Sequence, residues 1–514
     1  MYEMCIKERG KMSQREKKDR FYPRKAKEMQ RVLKNADKEG RLQQTLVEEL
    51  QHPISMPAIW TCREYLHKVS EDTYPRGSSE WMALLSVRAL LSTMEDDLES
   101  AKSYIAILDD VPENADEKQR ATQEFVRLAT ELVMPYISDN RFLHVVAALR
   151  ERNVPPIRSL TLSASRPSIL NGFRDFTRYG RSIPDGRKQI EESVRMLYGD
   201  KGKGVVEIAL AEWYYQKNDT FHALVLVAGT IPLMESKQDI QCLFVAMALQ
   251  MKILLLNGQT KAAAPLVSQI RTKIENVGWE ELESSLYALS AWAACYDGNQ
   301  EIVQEWMEKN APDETGEFYM MDMYAYLVKV RCYLFAGKYM MALVLAKQLI
   351  HMLERCNRYM DICECHMLAA IACYKAGSME DMCDELEIAI RMAKRYCYIR
   401  LLADEGAYMV NLLNVYEKMR GTDEFTDQIR ELAQEVGKRL PNYMKSPAEY
   451  YEPLTATEKR VLRLLAEGLS YEEMGEKLGK KPGTVKFHSS GIFRKLQVKN
   501  RSQAVNKATQ IGLI

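Results

Sequence analysis

The chain has 514 residues, and its 71 lysines and arginines are balanced by 71 aspartates and glutamates, so the formal net charge is zero. This length predicts three or four domains or one extended array of repeats. Hydrophobic residues make up 46% of the sequence, which excludes a disordered chain held open by its charge. Glycine and proline are scarce, with 25 and 17 residues, and this shortage of turn-forming residues favours helices.

The sequence contains no predicted membrane segment. No apolar run reaches the roughly 18 residues that a bilayer-spanning helix needs. The start of the chain is basic and lacks the apolar stretch of a signal peptide. The sequence contains eleven cysteines, an odd number that cannot all form disulfide pairs within one chain. Several of them lie in apolar helical patterns, as is typical of reduced thiols. We therefore expect a soluble, cytoplasmic protein.

The zero net charge is the sum of three unequal segments. Residues 1–41 carry a net charge of +7 and residues 451–514 carry +6, so the region between them carries −13. We interpret residues 1–50 as a basic N-terminal arm. From residue 477 to the C terminus there are nine lysines and arginines and no acidic residue, and apolar residues recur there at helical spacing. A folded basic surface of this kind favours binding to a polyanion.

Evenly spaced turn residues predict an array of helical repeats in the middle of the chain. They recur about every 40 residues, and each lies between two amphipathic runs of helical length. The turns are Asn218, Gly258, Gly298, Gly337, Gly377 and Gly421, with Asp96 fitting the pattern upstream and Asn140 and Gly180 as weaker candidates. Alanines recur at matching distances from these turns, where small side chains let paired helices approach closely. We therefore predict an all-α fold of stacked helix–turn–helix units, with an evenly looped helical bundle as the alternative.

This pattern resembles tetratricopeptide repeats lengthened from 34 to about 40 residues. The resemblance implies a helical-repeat superhelix over residues 51–447. An array of this kind has an extended concave face, on which we expect a small-molecule or protein effector to bind. Prolines and a run of serines and threonines interrupt the pattern in residues 150–203, so we expect an irregular segment there.

The repeats contain four tryptophans that could line a ligand groove and a cysteine–histidine cluster that could bind a metal. Helical spacing favours a core position over a ligand groove for four tryptophans, which are Trp213, Trp279, Trp292 and Trp306. Cys363, Cys365 and His366 lie close together, but zinc sites need four ligands and wider cysteine spacing, so helix packing explains them better. The phosphate-binding pattern G-x-x-x-x-G-K-[ST] and any nucleophile–base signature are absent from the sequence. We therefore expect neither an enzyme nor a cofactor.

The C-terminal region, residues 454–514, is predicted to form four short helices after a polar linker at residues 448–453. Two capping boxes mark the first two helices, because a serine or threonine and a glutamate three residues later satisfy free amides at a helix start. The boxes are Thr455 with Glu458 and Ser470 with Glu473.

A glycine turn separates the second and third of these helices. Gly479 turns the chain, Pro482 suits the first turn of the third helix, and a fourth helix begins near Arg501. Two short helices joined by a tight turn that contains glycine form the helix-turn-helix arrangement, whose second helix enters the major groove of DNA.

The third helix has an apolar face and a polar face. Its predicted inner side consists of three apolar residues at helical spacing, Val485, Ile492 and Leu496. The outer side would present side chains that can donate to base acceptors or contact thymine methyl groups, namely Lys486, Phe487, Ser490 and Arg494. Lys495, Lys499 and Arg501 are placed for contacts with phosphates.

In sequence order, this region resembles the LuxR-type DNA-binding domain over about 60 residues. The resemblance is carried by Leu454, Thr455, Glu458, Val461, Leu462, Ala466, Glu467, Gly468, Ser470, Leu478, Thr484, Val485, Lys486, His488, Lys495, Leu496, Val498, Arg501, Ala504 and Val505. It implies binding to double-stranded DNA, with base-facing positions at Lys486, Phe487 and Ser490. It also implies backbone-facing positions at Thr484, His488 and Lys495, although a half-buried histidine bonded to a neighbouring carbonyl is an equal alternative for His488.

The resemblance further implies a homodimer on DNA, with RNA polymerase as a candidate partner. We expect the fourth helix to form the dimer interface through Ala504, Val505 and Ala508. The chain departs from the family at Lys480 and Lys481, which replace an apolar residue and a serine cap, and at Gly475, where alanine is common. We include Lys481 among the DNA-binding residues, while Gly475 inside a helix costs up to about 1 kcal/mol.

Helical repeats followed by this domain resemble the large MalT-type LuxR regulators, without the ATPase module that normally begins them. We therefore predict a bacterial, sequence-specific transcriptional regulator whose repeats sense a ligand or a protein partner. The alternative is a protein-interaction scaffold whose C-terminal domain has low or lost DNA specificity, and the two lysines in place of the serine cap favour it.

Overall fold

The computed structural model describes residues 25–152, 156–157, 162–441, 443, 454–496 and 498–510. These residues form helices and contain no β-strand, which confirms the all-α fold class. None of the helices in these ranges is both long enough and apolar enough to cross a membrane. The predicted linker at residues 448–453 and the first 24 residues of the predicted N-terminal arm lie outside the described residues.

The first part of the chain contains helices that precede the regular repeats. In chain order they are α1 (Ala26–Lys38), α2 (Leu42–Leu50), α3 (Met56–Thr61), α4 (Arg63–His67), α5 (Ser79–Met94), α6 (Leu98–Asp109), α7 (Glu117–Val133), α8 (Asp139–Glu151) and α9 (Arg187–Tyr198). Met29, Leu33 and Leu46, on α1 and α2, are buried in the same hydrophobic core as the repeats. The described part of the predicted basic arm is therefore packed into the folded array.

The regular repeats form one run of antiparallel helix pairs. Their helices are α10 (Val205–Gln216), α11 (Thr220–Lys237), α12 (Ile240–Leu256), α13 (Thr260–Val277), α14 (Glu283–Asp297), α15 (Gln300–Lys309), α16 (Met323–Phe335), α17 (Tyr339–Arg355), α18 (Tyr359–Ala376), α19 (Met379–Tyr396), α20 (Ile399–Ala403), α21 (Ala407–Arg420) and α22 (Glu424–Arg439). The main hydrophobic core extends from Ala26 to Tyr443, and two smaller clusters of described residues lie beside it. Each pair thus buries its apolar faces on its neighbours, as stacked repeats do.

The predicted turn residues end the first helix of each pair. All six, from Asn218 to Gly421, have φ between 69° and 90°, the left-handed region that lets the chain reverse after a helix. The recurring alanines are buried between the paired helices, at Ala211, Ala223, Ala263, Ala291, Ala342 and Ala370. Asp96 also has a positive φ, between α5 and α6. These turns confirm the repeat prediction.

Two weaker turn predictions were wrong. Asn140 lies inside α8, whose start is capped by Ser138 through a bond from the amide of Arg141 to its hydroxyl. Gly180 lies in a short 3₁₀ helix, Thr177–Ser182, where a Cβ atom would stand 2.1 Å from the Trp213 ring. Glycine is therefore needed at this position for close packing and not for a reversal of the chain.

The irregular segment lies within the predicted range 150–203 but is shorter than predicted, because the helix α9 (Arg187–Tyr198) occupies part of that range. Between α8 and α9 the described residues form only the short 3₁₀ helix, and the stretch 162–176 packs inside the array. Arg166 and Asn171 from this stretch both donate to Asp361 at the start of α18. The stretch thus lies against the inner helices of repeats that are almost 200 residues away in the sequence.

The cysteine–histidine cluster and most of the tryptophans are packing residues in this fold, while Trp292 is buried and also lines an internal cavity. Trp213, Trp279, Trp292 and Trp306 are all buried, as predicted. Cys363 and Cys365 are buried on α18, and Nδ1 of His366 lies 2.7 Å from the Glu385 carboxylate. Among the described residues no group of histidine, cysteine and acidic side chains is arranged to hold a metal ion.

Candidate nucleic-acid interface

The C-terminal region folds around a hydrophobic core of its own. Its helices are α23 (Ala456–Ala466), α24 (Tyr471–Leu478), α25 (Pro482–Lys495) and α26 (Arg501–Gln510). The buried residues of this core are Leu454, Val461, Leu462, Leu465, Met474, Val485, Ile492, Leu496, Ala504 and Ala508. They form a cluster separate from the core of the repeats. This is the four-helix arrangement that the sequence predicts.

Both capping boxes are present at the starts of α23 and α24. The amide of Glu458 donates to the Thr455 hydroxyl, and the Glu458 carboxylate accepts from the Thr455 amide at 2.7 Å. Ser470 and Glu473 repeat the same reciprocal pair. These bonds satisfy amides that have no partner inside their helices, so they fix where each helix begins.

A tight turn joins α24 to α25. Gly479 ends α24 with φ of 63°, and the amide of Lys480 donates to the Gly475 carbonyl. A Cβ atom on Gly475 would stand 2.6 Å from the Lys480 carbonyl oxygen. The sequence suggests that Gly475 destabilises its helix. The structure explains why glycine stands there, because the turn after α24 passes too close to leave room for the side chain of alanine.

Helix α25 has one face in the core and one in solvent. Val485, Ile492 and Leu496 are buried, as predicted. Phe487, by contrast, is 75% exposed, which is the largest exposure among the described large hydrophobic residues. Burying such a ring would contribute roughly 2–3 kcal/mol, so a partner that covered this face would gain binding energy from it.

The remaining predicted side chains of this surface are also accessible. Those on or near α25 are Lys481, Thr484, Lys486, Ser490, Arg494 and Lys499, all exposed, and His488, half-buried with its ring edge-on to Phe487. No side chain caps the start of α25 at Lys481. Pro482 has no amide hydrogen, and the amides of Thr484 and Val485 donate to the Lys481 carbonyl. The Gly483 amide therefore remains without an acceptor among the described residues, beside two exposed lysines, and this arrangement suits a phosphate group.

Two predicted phosphate-binding residues have partners inside the domain instead. Nζ of Lys495 donates to the Glu458 carboxylate at 2.8 Å, and both side chains are about nine-tenths buried. The guanidinium of Arg501 donates to the backbone carbonyls of Leu465 and Leu469. Lys495 thus ties α25 to α23, and Arg501 ties the start of α26 to the end of α23. The sequence shows their charge but not the acceptors that the fold brings to them.

The pair of Glu458 and Lys495 was not recognised in the sequence. Burial alone would raise the pKa of Glu458, but the hydrogen bonds from Lys495 and Thr455 outweigh burial and hold that pKa below its ordinary value. The carboxylate therefore stays charged and serves two bonds at once. In the sequence, Glu458 is marked only by its position in a capping box. That position predicts its bond to Thr455 but not its second bond, to Lys495.

The predicted dimer contact on α26 needs a correction. Ala504 and Ala508 are completely buried in the core of their own domain, so neither is available to a second copy. Val505 is only partly buried. Small side chains on this helix serve its packing against α23 and α25, and the exposed face of α26 consists of polar residues, Ser502, Gln503, Asn506 and Thr509.

Comparison with known families agrees with both parts of this architecture. Residues 201–419 match the family described as MalT-like TPR region, and residues 452–508 match the luxR family of bacterial regulatory proteins. The chain carries a MalT-like TPR region and a luxR-family domain. The second match covers α23 to α25 and most of α26, including the exposed face of α25.

Relatives of this chain include two regulators. The transcriptional regulatory protein DesR of Bacillus subtilis (strain 168) is 37% identical over 93 residues, which are 18% of this chain and 46% of that protein. The response regulator protein VraR of Staphylococcus aureus (strain Mu3 / ATCC 700698) is 44% identical over 80 residues, 16% of this chain and 38% of that protein. The chain spans less than half the length of these relatives. The luxR-family domain is thus joined here to a much larger repeat region.

Proposed function

We propose that this protein is a DNA-binding transcriptional regulator. The observation that carries the proposal is the solvent face of α25, on which an aromatic ring and basic side chains are exposed although the opposite face is completely buried. The match of this domain to the luxR family supports it, as does the similarity of the chain to DesR and VraR.

In the proposed complex, α25 lies in the major groove. Lys486, Phe487 and Ser490 face the base edges, where lysine donates to guanine acceptors and the ring contacts thymine methyl groups. Thr484, His488, Arg494 and Lys499 contact the phosphate backbone, together with Lys481 and the Gly483 amide at the helix start. Lys495 and Arg501 position α25 and α26 through their bonds within the domain.

The repeat region is proposed to sense an effector, a small molecule or a protein, and to pass its state to the luxR-family domain. Support comes from the inner helices, which leave space between them, and from the match to a MalT-like TPR region. A homodimer on DNA and contact with RNA polymerase belong to the same proposal. The part of the dimer interface that α26 supplies would be its polar face, since its alanines are buried.

DNA binding can be tested on the full chain by selection from a random double-stranded library, followed by titration of the selected sequence at several salt concentrations. Lys486→Ala is expected to weaken the selected sequence by about 1–3 kcal/mol and to relax sequence preference, because it removes a base contact. Lys499→Ala is expected to weaken all sequences alike and to lower the slope of log K against log salt by about 1. Both side chains are exposed, so thermal stability should not change.

Lys459→Ala is the matched control, because Lys459 is an exposed lysine of the same domain on α23 and outside the proposed interface. It should leave the selected sequence and its affinity unchanged. Binding without any selected sequence would favour the alternative function, a protein-interaction scaffold with a nonselective domain. No salt-dependent binding at all would overturn the proposal.

A further inference from the structure

A cavity of about 140 Å³ lies inside the repeat region. The inner helices α10, α12, α14, α16 and α18 surround it, and the irregular stretch 162–176 closes one side. An apolar cavity of about 150 Å³ accommodates a molecule the size of benzene. The space is therefore large enough for a small organic ligand.

Carboxylates line this cavity, and arginines hold them. Asp361 accepts from Arg166 at 3.0 Å and from Arg358 at 2.6 Å. Burial alone would raise the pKa of Asp361, but these two arginines hold it below its ordinary value. Asp361 thus remains charged and fully engaged, and it leaves no acceptor for a further cation.

Three more carboxylates of the cavity are paired in the same way. Arg331 donates to Glu364 at 2.8 Å and to Glu405 at 2.7 Å, and Arg400 lies 2.8 Å from Asp404. With Arg166 and Arg358 on Asp361, four arginines among the described residues face four carboxylates. Their charges cancel within this network.

Glu212 is the remaining acidic residue of the lining, and its partners are neutral. It accepts from the Ser168 hydroxyl and from the amides of Ile169 and Leu170. Burial raises the pKa of Glu212 to about 7, against these hydrogen bonds and the weaker attraction of Lys252, so this side chain carries only part of a negative charge near neutral pH.

Lys252 is a basic residue of the cavity lining that takes no part in these arginine–carboxylate pairs. Among the described residues its ammonium group has neither a hydrogen-bond acceptor nor a carboxylate within ion-pair distance, and it lies 5.1 Å from the ring centre of Tyr215 and 5.6 Å from that of Trp292. Burial lowers the pKa of Lys252, against the attraction of Asp404 and Glu364. The hydroxyl of Tyr324, on the same lining, likewise has no hydrogen-bond partner among the described residues.

Lys252 is only partly exposed, and an ammonium group that faces an internal cavity without an acceptor is typical of a ligand-binding site. Apolar and aromatic side chains, such as Leu249, Trp292 and Leu327, form much of the remaining lining, next to a few neutral polar residues such as Thr177 and Gln216. We infer that the cavity is a binding site for a small organic carboxylate with a compact apolar body, whose carboxylate pairs with Lys252 and whose body lies against the rings. This inference names a ligand class for the effector sensing proposed above, and it rests on that proposal.

The same cavity is linked to the end of the repeat region. Arg331, besides its carboxylates, donates to the hydroxyl of Tyr443 at 2.7 Å, and that hydroxyl donates to Glu405. The Tyr443 ring stacks on Tyr296 with their centres 4.0 Å apart. Tyr443 is the last described residue before the luxR-family domain, so a ligand that shifts this network acts close to the connection between the two parts.

The test is calorimetric titration of the full chain, without DNA, with benzoate, phenylacetate and hexanoate, and with their uncharged amides as matched probes. The carboxylates should bind and the amides should bind at least tenfold more weakly, because a charged hydrogen bond contributes about 1.5–3 kcal/mol, which is a factor of ten or more. Lys252→Met keeps the length of the side chain and should weaken carboxylate binding by the same factor. Its melting temperature without ligand should be unchanged or higher, since no hydrogen bond or ion pair among the described residues is lost and methionine can still pack against the two rings.

Lys329→Met is the matched control, because Lys329 is a buried lysine on α16 that is paired with Glu314 outside this lining. It should bind the carboxylates as the unmodified chain does. The inference is overturned if none of the three carboxylates binds, if the amides bind equally well, or if Lys252→Met binds them unchanged. Failure here with intact DNA selection would overturn the ligand class alone, whereas carboxylate binding without DNA selection would overturn only the proposed regulator.

Discussion

The repeat region and the luxR-family domain place their charges in opposite ways. The repeats bury arginines and carboxylates together around an internal cavity, with Arg358 and Asp361 fully inaccessible to solvent. The C-terminal domain keeps most of its basic side chains on the surface, and Glu458 with Lys495 is its one nearly buried ion pair among the described residues. One region thus uses charge to organise its interior, while the other presents charge to a partner.

The difference follows from what each fold can offer as acceptors. The carbonyls inside a helix already accept hydrogen bonds from the amides of the same helix. A buried arginine must therefore find its acceptors on side chains or on backbone outside the helices. The irregular stretch supplies such backbone, because Arg358 donates to the carbonyls of Gly172 and Phe173 at 2.7 Å each. The four short helices of the luxR-family domain contain no comparable stretch in the described residues, and Arg501 instead donates to the carbonyls of Leu465 and Leu469 near the end of α23.

The largest expected effect comes from breaking the interior network. Arg358→Met should lower the free energy of unfolding of the repeat region by about 3–5 kcal/mol, because it removes one of the two arginines that pair with the buried Asp361 and leaves two buried carbonyls without this donor. Urea unfolding followed by tryptophan fluorescence measures this region alone, since all six tryptophans lie between residues 60 and 306.

Arg391→Met is the control for this prediction, because Arg391 is an exposed arginine on the neighbouring helix α19. It should change the unfolding free energy by no more than about 0.5 kcal/mol. Equal effects of the two substitutions would show that the buried network contributes nothing beyond a surface arginine, and the contrast between the two regions would disappear.

A smaller effect is expected at the single buried pair of the C-terminal domain. Lys495→Met should cost about 2–3 kcal/mol, because it leaves the Glu458 carboxylate buried without its ammonium partner. The measurement is hydrogen exchange of peptides from residues 454–510, which separates this domain from the repeats. If Lys495 instead binds phosphate, Lys495→Met should leave the hydrogen-exchange protection of the domain unchanged and lower the slope of log K for DNA binding against log salt.

The same pair predicts a pH dependence. The folded pKa of Glu458 lies below its ordinary value of 4.5, so the stabilisation is complete above that value and is lost as the pH falls through the lower folded pKa. Hydrogen-exchange protection of the domain should therefore decrease in that acidic range. Glu458→Gln cannot titrate and should remove this part of the decrease, so an identical acid profile for both proteins would contradict the assignment.

The fold was accessible from the sequence to different extents in the two regions. The turns from Asn218 to Gly421 and the capping boxes are local signals, in which residues a few positions apart determine the backbone, and these predictions were confirmed. The cavity joins residues that are far apart, such as Arg166 and Asp361, which no local pattern connects. The available signal was Lys252, the one charged residue in the apolar helix α12.

The contacts of the DNA-binding surface were partly accessible for the same reason. Helical spacing separates the buried Val485 from the exposed Lys486 and Phe487, so the outer face of α25 was predictable. Spacing alone does not distinguish a lysine that faces solvent from one that faces a carboxylate on another helix. Lys495 and Arg501 were therefore assigned to phosphates, although their acceptors lie in the domain itself.

The smallest expected effect tests the surface charge at the start of α25. Lys481 has the extended backbone of a helix-capping residue, with φ of −66° and ψ of 145°, but its side chain makes no cap. Lys481→Ser should stabilise the domain by about 0.5–1 kcal/mol, because a serine hydroxyl there can accept from a free amide of the first turn. It should also lower the slope of log K against log salt by about 0.9, since one phosphate contact is lost.

Lys480→Ser removes the neighbouring lysine without supplying a cap, so it should lower the slope without the gain in stability. If both substitutions stabilise the domain equally, repulsion between the clustered lysines and not the missing cap limits the stability of this helix start.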